Sequence, residues 1–140
     1  MQSISPETIF RGNNAWGKAL PQIAGLTKRP LILGRSARTN DIKNKIFEDL
    51  KNLGLNVNSA NLQYDCCYED ISKVKDIILN NNHDAVIAAG GGKVLDSGKY
   101  IAESLNIHCI TVPLSASTCA GWTALSNIYT IKGQFIKDVA

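Results

Sequence analysis

The chain has 140 residues, of which 44% are hydrophobic and 19% charged, with a net charge of +3. That balance argues against disorder, which needs low hydrophobicity and high charge, and the length suits one domain with a core that needs no staples. The charge is too weak to imply a nucleic-acid partner, no basic run carries interleaved aromatics, and no apolar run is long enough to span a membrane.

Thr8 to Gly12 alternates and ends at glycine, which predicts a short strand, and a helix is expected near Ala15 to Ala24. Pro30 to Gly34 is a continuous apolar run, the mark of a strand buried on both faces. From Asp41 to Leu53, the residues Ile42, Ile46, Leu50 and Leu53 are expected on one helical face, with Gly54 as C-terminal cap. A less regular strand is expected within Leu55 to Tyr64. Glu69 to Asn80 then predicts a helix that presents Ile71, Val74 and Ile78 and stops at an asparagine run.

Asp84 to Ala89 is the clearest buried strand, and it runs directly into Gly90-Gly91-Gly92. A helix is expected from Lys93, with Val94, Gly98, Ile101 and Leu105 on one side. Ile107 to Val112 is another strand, stopped by Pro113. After a polar loop, Leu114 to Trp122, Ala124 to Thr130 and Gln134 to Val139 predict a hairpin around Lys132-Gly133. Alternating strands and helices imply a Rossmann-like α/β fold: a parallel sheet, helices on both faces, and a C-terminal β-hairpin. Ligands of such sheets bind at the carboxyl ends of the strands.

Two loops lie at such ends. Three glycines between a strand and a helix turn the backbone tightly and let a ligand approach where a Cβ would collide. The free N–H groups at the helix start add positive potential, which suits a pyrophosphate. The sequence matches neither GxGxxG nor the P-loop, so the glycines alone indicate a nucleotide or phosphate ligand and nothing finer. Lys93 is placed to add charge beside the phosphates, and Asp96 lies one turn further on. Lys99 reads as a solvated face residue. Pro113 to Gly121 is the second loop, and its small hydroxyl residues are suited to phosphate, ribose or an amide.

Cys66, Cys67, Cys109 and Cys119 lack CxxC spacing and imply reduced thiols in a cytoplasmic chain. His83 and His108 show no metal-ligand spacing, so no metal site is expected within this segment.

Gly90 to Lys99 resembles the GGGxxxDxxK signature of the iron-containing alcohol dehydrogenase superfamily. Pro113 to Cys119 with Thr123 to Tyr129 resembles the P-T-x-x-S-T-D…S-A-L-S-x-I-Y segment of its glycerol dehydrogenase branch. The resemblance covers essentially the whole chain. It implies that residues 1–140 form an NAD(P)-binding domain with the fold of the dehydroquinate synthase N-terminal domain, and that the reaction is reversible hydride transfer between an alcohol and the cofactor. Gly91, Gly92 and Lys93 would hold the pyrophosphate, with Asp96 nearby. Ser117, Thr123, Leu125 and Tyr129 would line the path to the nicotinamide. The family's Zn²⁺ or Fe²⁺ ligands come from a helical second domain that this chain lacks, so the segment is expected to be part of a longer protein and inactive alone.

Two departures from the family pattern bear on specificity. Cys119 stands where the branch has an aspartate that contacts the polyol, and a thiol does not replace a carboxylate. A less polar alcohol or aldehyde is therefore expected as the small-molecule substrate. Arg35 aligns with an acidic residue that faces the adenosine ribose in many members, and an arginine there suits NADP over NAD.

Three other readings remain at this stage. Dehydroquinate synthase-like lyases share this nucleotide domain, although Ser126 to Tyr129 points away from them. A non-catalytic nucleotide-binding module is favoured if 140 residues is the natural length. The diacylglycerol-kinase-like group is disfavoured, since an acid is expected within its glycine loop. The N-terminal strand and the sheet edge at Gln134 to Val139 predict association, most simply as a homodimer.

Overall fold

The computed structural model describes residues 6–140. Helix α1 (Ala15–Leu26) leads into β1 (Pro30–Gly34) and a short 3₁₀ turn at Ala37–Thr39. Then follow α2 (Asn40–Asn52), β2 (Asn58–Asn61), α3 (Tyr68–Asn81), β3 (Ala85–Gly90), α4 (Gly92–Leu105) and β4 (His108–Pro113). Strands β5 (Ser126–Tyr129) and β6 (Phe135–Val139) form a separate antiparallel pair.

The main sheet is parallel throughout, in the order β2-β1-β3-β4. Successive residues of β1 face opposite sides, and both sides are covered. Leu31 and Leu33 pack with Val86, Ala88 and the α3 and α4 residues Ile71, Val74, Ile78, Leu95 and Ile101. Ile32 packs with Ile87, Ala89 and the α1 and α2 residues Ile23, Ile46 and Leu50. Each such side chain, fully buried, contributes about 1.5–3 kcal/mol. Helices therefore lie on both faces, as the alternating pattern requires.

Local chemistry sets the ends. Asn82 and Asn106 adopt φ values of 54° and 52° and close α3 and α4, a left-handed cap that asparagine tolerates. Gly54 does the same after α2 at φ +80°. Gly98 brings α4 against β3: a Cβ there would lie 2.5 Å from that of Ala88.

Two expectations are corrected. Residues 8–12 are not a strand. The segment instead lies against α1 and the β4 edge, where it helps line a cleft of about 480 Å³, and Gln22 donates to the Thr8 hydroxyl at 3.0 Å. Gly12 at φ +87° then turns the chain into α1, so no sheet partner is reached. On α2 the buried stripe is Lys43, Ile46 and Leu50, whereas Ile42 and Leu53 are 46% and 44% exposed. The stripe is rotated by one residue because α2 packs over the carboxyl end of β1, and there the lysine stem covers Gly34. Strand β2 is shorter and more polar than expected, as befits an edge. No helix among the described residues is long and apolar enough to cross a membrane.

Candidate functional site

The strand order locates the cleft. From β1 the chain moves outward to β2, then returns across β1 to β3 and continues to β4. The loops after β1 and β3 thus leave the sheet in opposite directions. This is the topological switch point at which open parallel sheets bind ligands.

On one side of it stands the turn Gly90-Gly91-Gly92. Gly90 is buried under Val94, while Gly91 and Gly92 are partly exposed at the open end. Gly91 is the N-cap of α4, and no side chain caps the helix. First-turn N–H groups have no acceptor within a helix, so these amides are left facing outward. A Cβ on Gly91 would stop 4.0 Å from the Ser115 Cβ, and one on Gly92 would stop 3.1 Å from the Thr118 hydroxyl. The glycine turn and the serine-rich loop therefore face each other across a gap that the glycines keep open. This cradle fits a diphosphate: outward amides, a helix N-terminus and hydroxyls opposite.

The serine-rich loop is held by its own contacts. Ser115 and Ser117 share a hydroxyl contact at 2.6 Å, and Thr118 accepts from the Ala120 amide at 3.0 Å. Thr111 donates to the Gly121 carbonyl at 3.1 Å, which folds the loop back on β4. Ser117 and Cys119 are exposed beside the cleft.

Lys93 is paired with Asp65, and its ammonium lies 5.6 Å from the Tyr129 ring centroid. Asp65 is buried in the loop before α3 and also accepts from the Cys66 amide at 2.7 Å. Tyr129 donates its backbone N–H to the Cys66 carbonyl at 2.8 Å. Lys93 thus joins the glycine turn to the hairpin, with part of its charge matched by Asp65.

Asp96 is 8% exposed. Its carboxylate accepts from the Asn127 amide at 3.1 Å and pairs with Lys99 at 3.1 Å, while its carbonyl accepts from the Ser126 hydroxyl. Lys99 is not a solvated residue. Its side chain is 11% exposed and donates to the Thr123 carbonyl at 2.9 Å and to the Leu125 carbonyl. Burial drives this: an ammonium that packs against the sheet must gather acceptors, and the chain beyond the serine loop supplies them. One buried ion pair thereby fixes Thr123, Leu125 and the start of β5 against α4. The i,i+3 spacing of Asp96 and Lys99 was the available signal for this pair.

The sequence profile described as iron-containing alcohol dehydrogenase matches residues 6–139. The chain belongs to this family. An uncharacterized oxidoreductase of Synechocystis is 34% identical over 139 residues, which is 99% of this chain and 35% of that protein. Glycerol dehydrogenase 1 of Schizosaccharomyces pombe is 31% identical over 134 residues, 95% of this chain and 30% of that one. The crystal structure of glycerol dehydrogenase from Schizosaccharomyces pombe superposes with a TM-score of 0.84 at 29% identity, covering 96% of this chain and 34% of that chain. The chain spans about a third of the length of these relatives. The matches favour the dehydrogenase fold and family over the lyase and non-catalytic readings.

Within this family member, the residues predicted on the glycine turn, α4 and the chain beyond β4 fall into three groups, apart from Cys119, which is exposed. Gly91 and Gly92 border the gap itself, and Ser117 lies on the facing loop, bonded to Ser115. Lys93 and Tyr129 adjoin it through Asp65 and the cation–π contact, and Asp96, Thr123 and Leu125 are drawn together by Lys99. Arg35 stands across the switch point, exposed. Carrying the Leu33–Ala88 register forward sets it level with Gly90. Sequence reasoning passed over Asp65, whose role depends on Lys93, 28 residues further along the chain.

Proposed function

We propose that this chain is the nucleotide-binding half of an NAD(P)-dependent, metal-requiring alcohol or polyol dehydrogenase. The observation that carries the reading is the uncapped start of α4, open to the serine-rich loop at the switch point of the sheet.

On this reading the Gly91, Gly92 and Lys93 amides donate to the diphosphate. The Lys93 ammonium, held by Asp65, adds positive charge at the rim without entering the gap. Ser117, Thr123, Leu125 and Tyr129 border the path to the nicotinamide, and the Lys99–Asp96 pair keeps that wall in place. The bound nicotinamide supplies hydride exchange with the alcohol carbon.

The residues here do not fit a metal site. Among the described residues, no group of three or more His, Cys, Asp or Glu could hold an ion. On this reading Zn²⁺ or Fe²⁺ is held by a helical domain outside residues 1–140. Cys119 beside the cleft favours a less polar alcohol or aldehyde over glycerol, because a thiol accepts hydrogen bonds poorly. Arg35 favours NADP. The exposed Phe135 and Ile136 on β6 support self-association as a dimer.

Calorimetric titration of the complete protein with NADH and NADPH is the direct test. It is coupled to an activity screen over polyols, short alcohols and aldehydes with added Zn²⁺ or Fe²⁺. Binding of at least one dinucleotide and turnover of at least one alcohol or aldehyde are expected. Failure to bind either dinucleotide overturns the reading.

A further inference from the structure

The two partners of the Lys93–Asp65 pair are unequally anchored. Asp65 lies in the loop that leads into α3, and its side chain is 4% exposed, against 46% for Lys93. That loop is pinned by its neighbours. The Asp70 carboxylate accepts from the Tyr64 amide at 2.6 Å and from the Asp65 amide at 3.2 Å. Asp65 Oδ1 accepts from the Cys66 amide at 2.7 Å, and the Cys66 carbonyl accepts from the Tyr129 amide at 2.8 Å. Gly133 of the hairpin turn closes over the other carboxylate oxygen, since a Cβ there would lie 3.8 Å from Asp65 Oδ2. Lys93 is the movable partner, and it rises from the second residue of α4, next to Gly91 and Gly92.

Moving the lysine away would leave the carboxylate enclosed without a countercharge, and an enclosed ion stripped of its partner is strongly unfavourable. Among the described residues no other cation pairs with Asp65. The Tyr129 ring, its centroid 5.6 Å from the ammonium, holds the lysine on the same side. The ammonium is therefore bound to a carboxylate although it stands beside an anion cradle. A phosphate that arrives there meets a neutralised pair instead of a free cation.

Resting on the dinucleotide reading above, we infer that Asp65 is a positioning residue that limits the affinity for the cofactor. Its carboxylate holds the Lys93 ammonium and offsets its charge, so the diphosphate is gripped by the backbone amides at the start of α4 and not by the lysine. The physical use of such a brake lies in release. A dinucleotide that carries hydride leaves after each turnover, and departure of the product commonly sets the rate. A fully exposed ammonium against the diphosphate would add a charge-assisted contact that has to break every time. Cys66 and Gly133 keep the brake in place, the first through its amide and the second by closing over the carboxylate.

The test titrates the complete protein with NADH and NADPH by fluorescence, in wild type, Asp65→Asn and the double variant Asp65→Asn/Lys93→Met. Asparagine keeps the size of the side chain and an acceptor for the Cys66 amide while removing the charge. Asp65→Asn is expected to bind the dinucleotide about tenfold more tightly, the scale of one charge-assisted hydrogen bond. The gain should fade in high salt, which screens a half-exposed cation, and vanish in the double variant. Adenosine, which has no phosphate, should bind all three proteins alike. A purely structural role for Asp65 would loosen the loop and weaken binding. Unchanged or weaker dinucleotide affinity in folded Asp65→Asn therefore overturns the inference while leaving the dinucleotide reading intact, as does a gain that adenosine shares or that survives in the double variant. If Asp65→Asn does not fold, the crystal structure of the wild-type NADH complex decides. The Lys93 ammonium is expected on Asp65, and its transfer to a phosphate oxygen overturns the inference. Wild-type protein that binds neither dinucleotide removes the dinucleotide reading itself, and this inference with it.

Discussion

Substituting Gly91 by alanine separates the fold from the ligand. Gly91 has φ −85° and ψ −172°, an extended conformation that any residue adopts, and its Cβ would meet nothing nearer than the Ser115 Cβ at 4.0 Å. Replacing glycine at a compatible position restricts the unfolded chain and stabilises by about 0.4–1 kcal/mol. The added methyl, however, occupies the gap between the glycine turn and the serine-rich loop, where the diphosphate must approach the amides. Dinucleotide affinity should fall by about tenfold or more, corresponding to ~1.4 kcal/mol or greater. Thermal denaturation without ligand and NADH or NADPH titration by fluorescence measure the two quantities on the same sample. The expected pattern is an unchanged or raised Tm with weakened binding. Gly90→Ala provides the contrast, since its Cβ would strike Val94 at 2.8 Å and so should destabilise the turn itself. If Gly91→Ala binds the dinucleotide as tightly as the parent, the diphosphate does not rest on this turn and the site assignment is wrong.

Three further outcomes follow from named contacts. Lys99→Met leaves the Asp96 carboxylate enclosed without its ion partner and should cost about 3–5 kcal/mol in denaturant unfolding. Adding Asp96→Asn should restore part of that loss, and a purely additive double variant would refute the coupling. Burial alone raises the Asp84 carboxyl, but hydrogen bonds from the Thr27 hydroxyl and the Lys28 and Arg29 amides outweigh it and hold the group below the ordinary carboxylate value. A folded pKa below the unfolded value of about 3.9 gives stability that is present above that pH and fades as pH falls through the folded pKa. Asp84→Asn should therefore lower Tm more at pH 7 than at pH 3, and an equal loss at both would contradict this. Burial pushes the Cys66 thiol up to about 12, and Cys67 is also raised and buried. A thiol reagent should label Cys119 in the native protein and reach Cys66 and Cys67 only on unfolding, with Cys109, whose thiol is likewise pushed up to about 12 by burial, reacting more slowly than Cys119.

The sequence alone determined the features that arise within a few neighbouring residues. The Pro30–Gly34 strand, the asparagine and glycine helix ends, the strand-to-helix glycine turn and the hairpin at Gly133 each follow from backbone preference or local hydrophobic period. The glycine turn was legible because three glycines between a buried strand and a helix have few other uses. Only the tertiary structure decided what those elements meet. Lys99 changed from a surface residue to the centre of a buried clamp, because its acceptors lie more than twenty residues further on. Lys43 entered a buried stripe because α2 lies over the end of β1, and residues 8–12 found α1 instead of a strand partner. Sequence spacing fixes which residues share a face. Strand order and helix placement fix which distant groups must neutralise one another once water is excluded, and that is where the cleft acquires its charge.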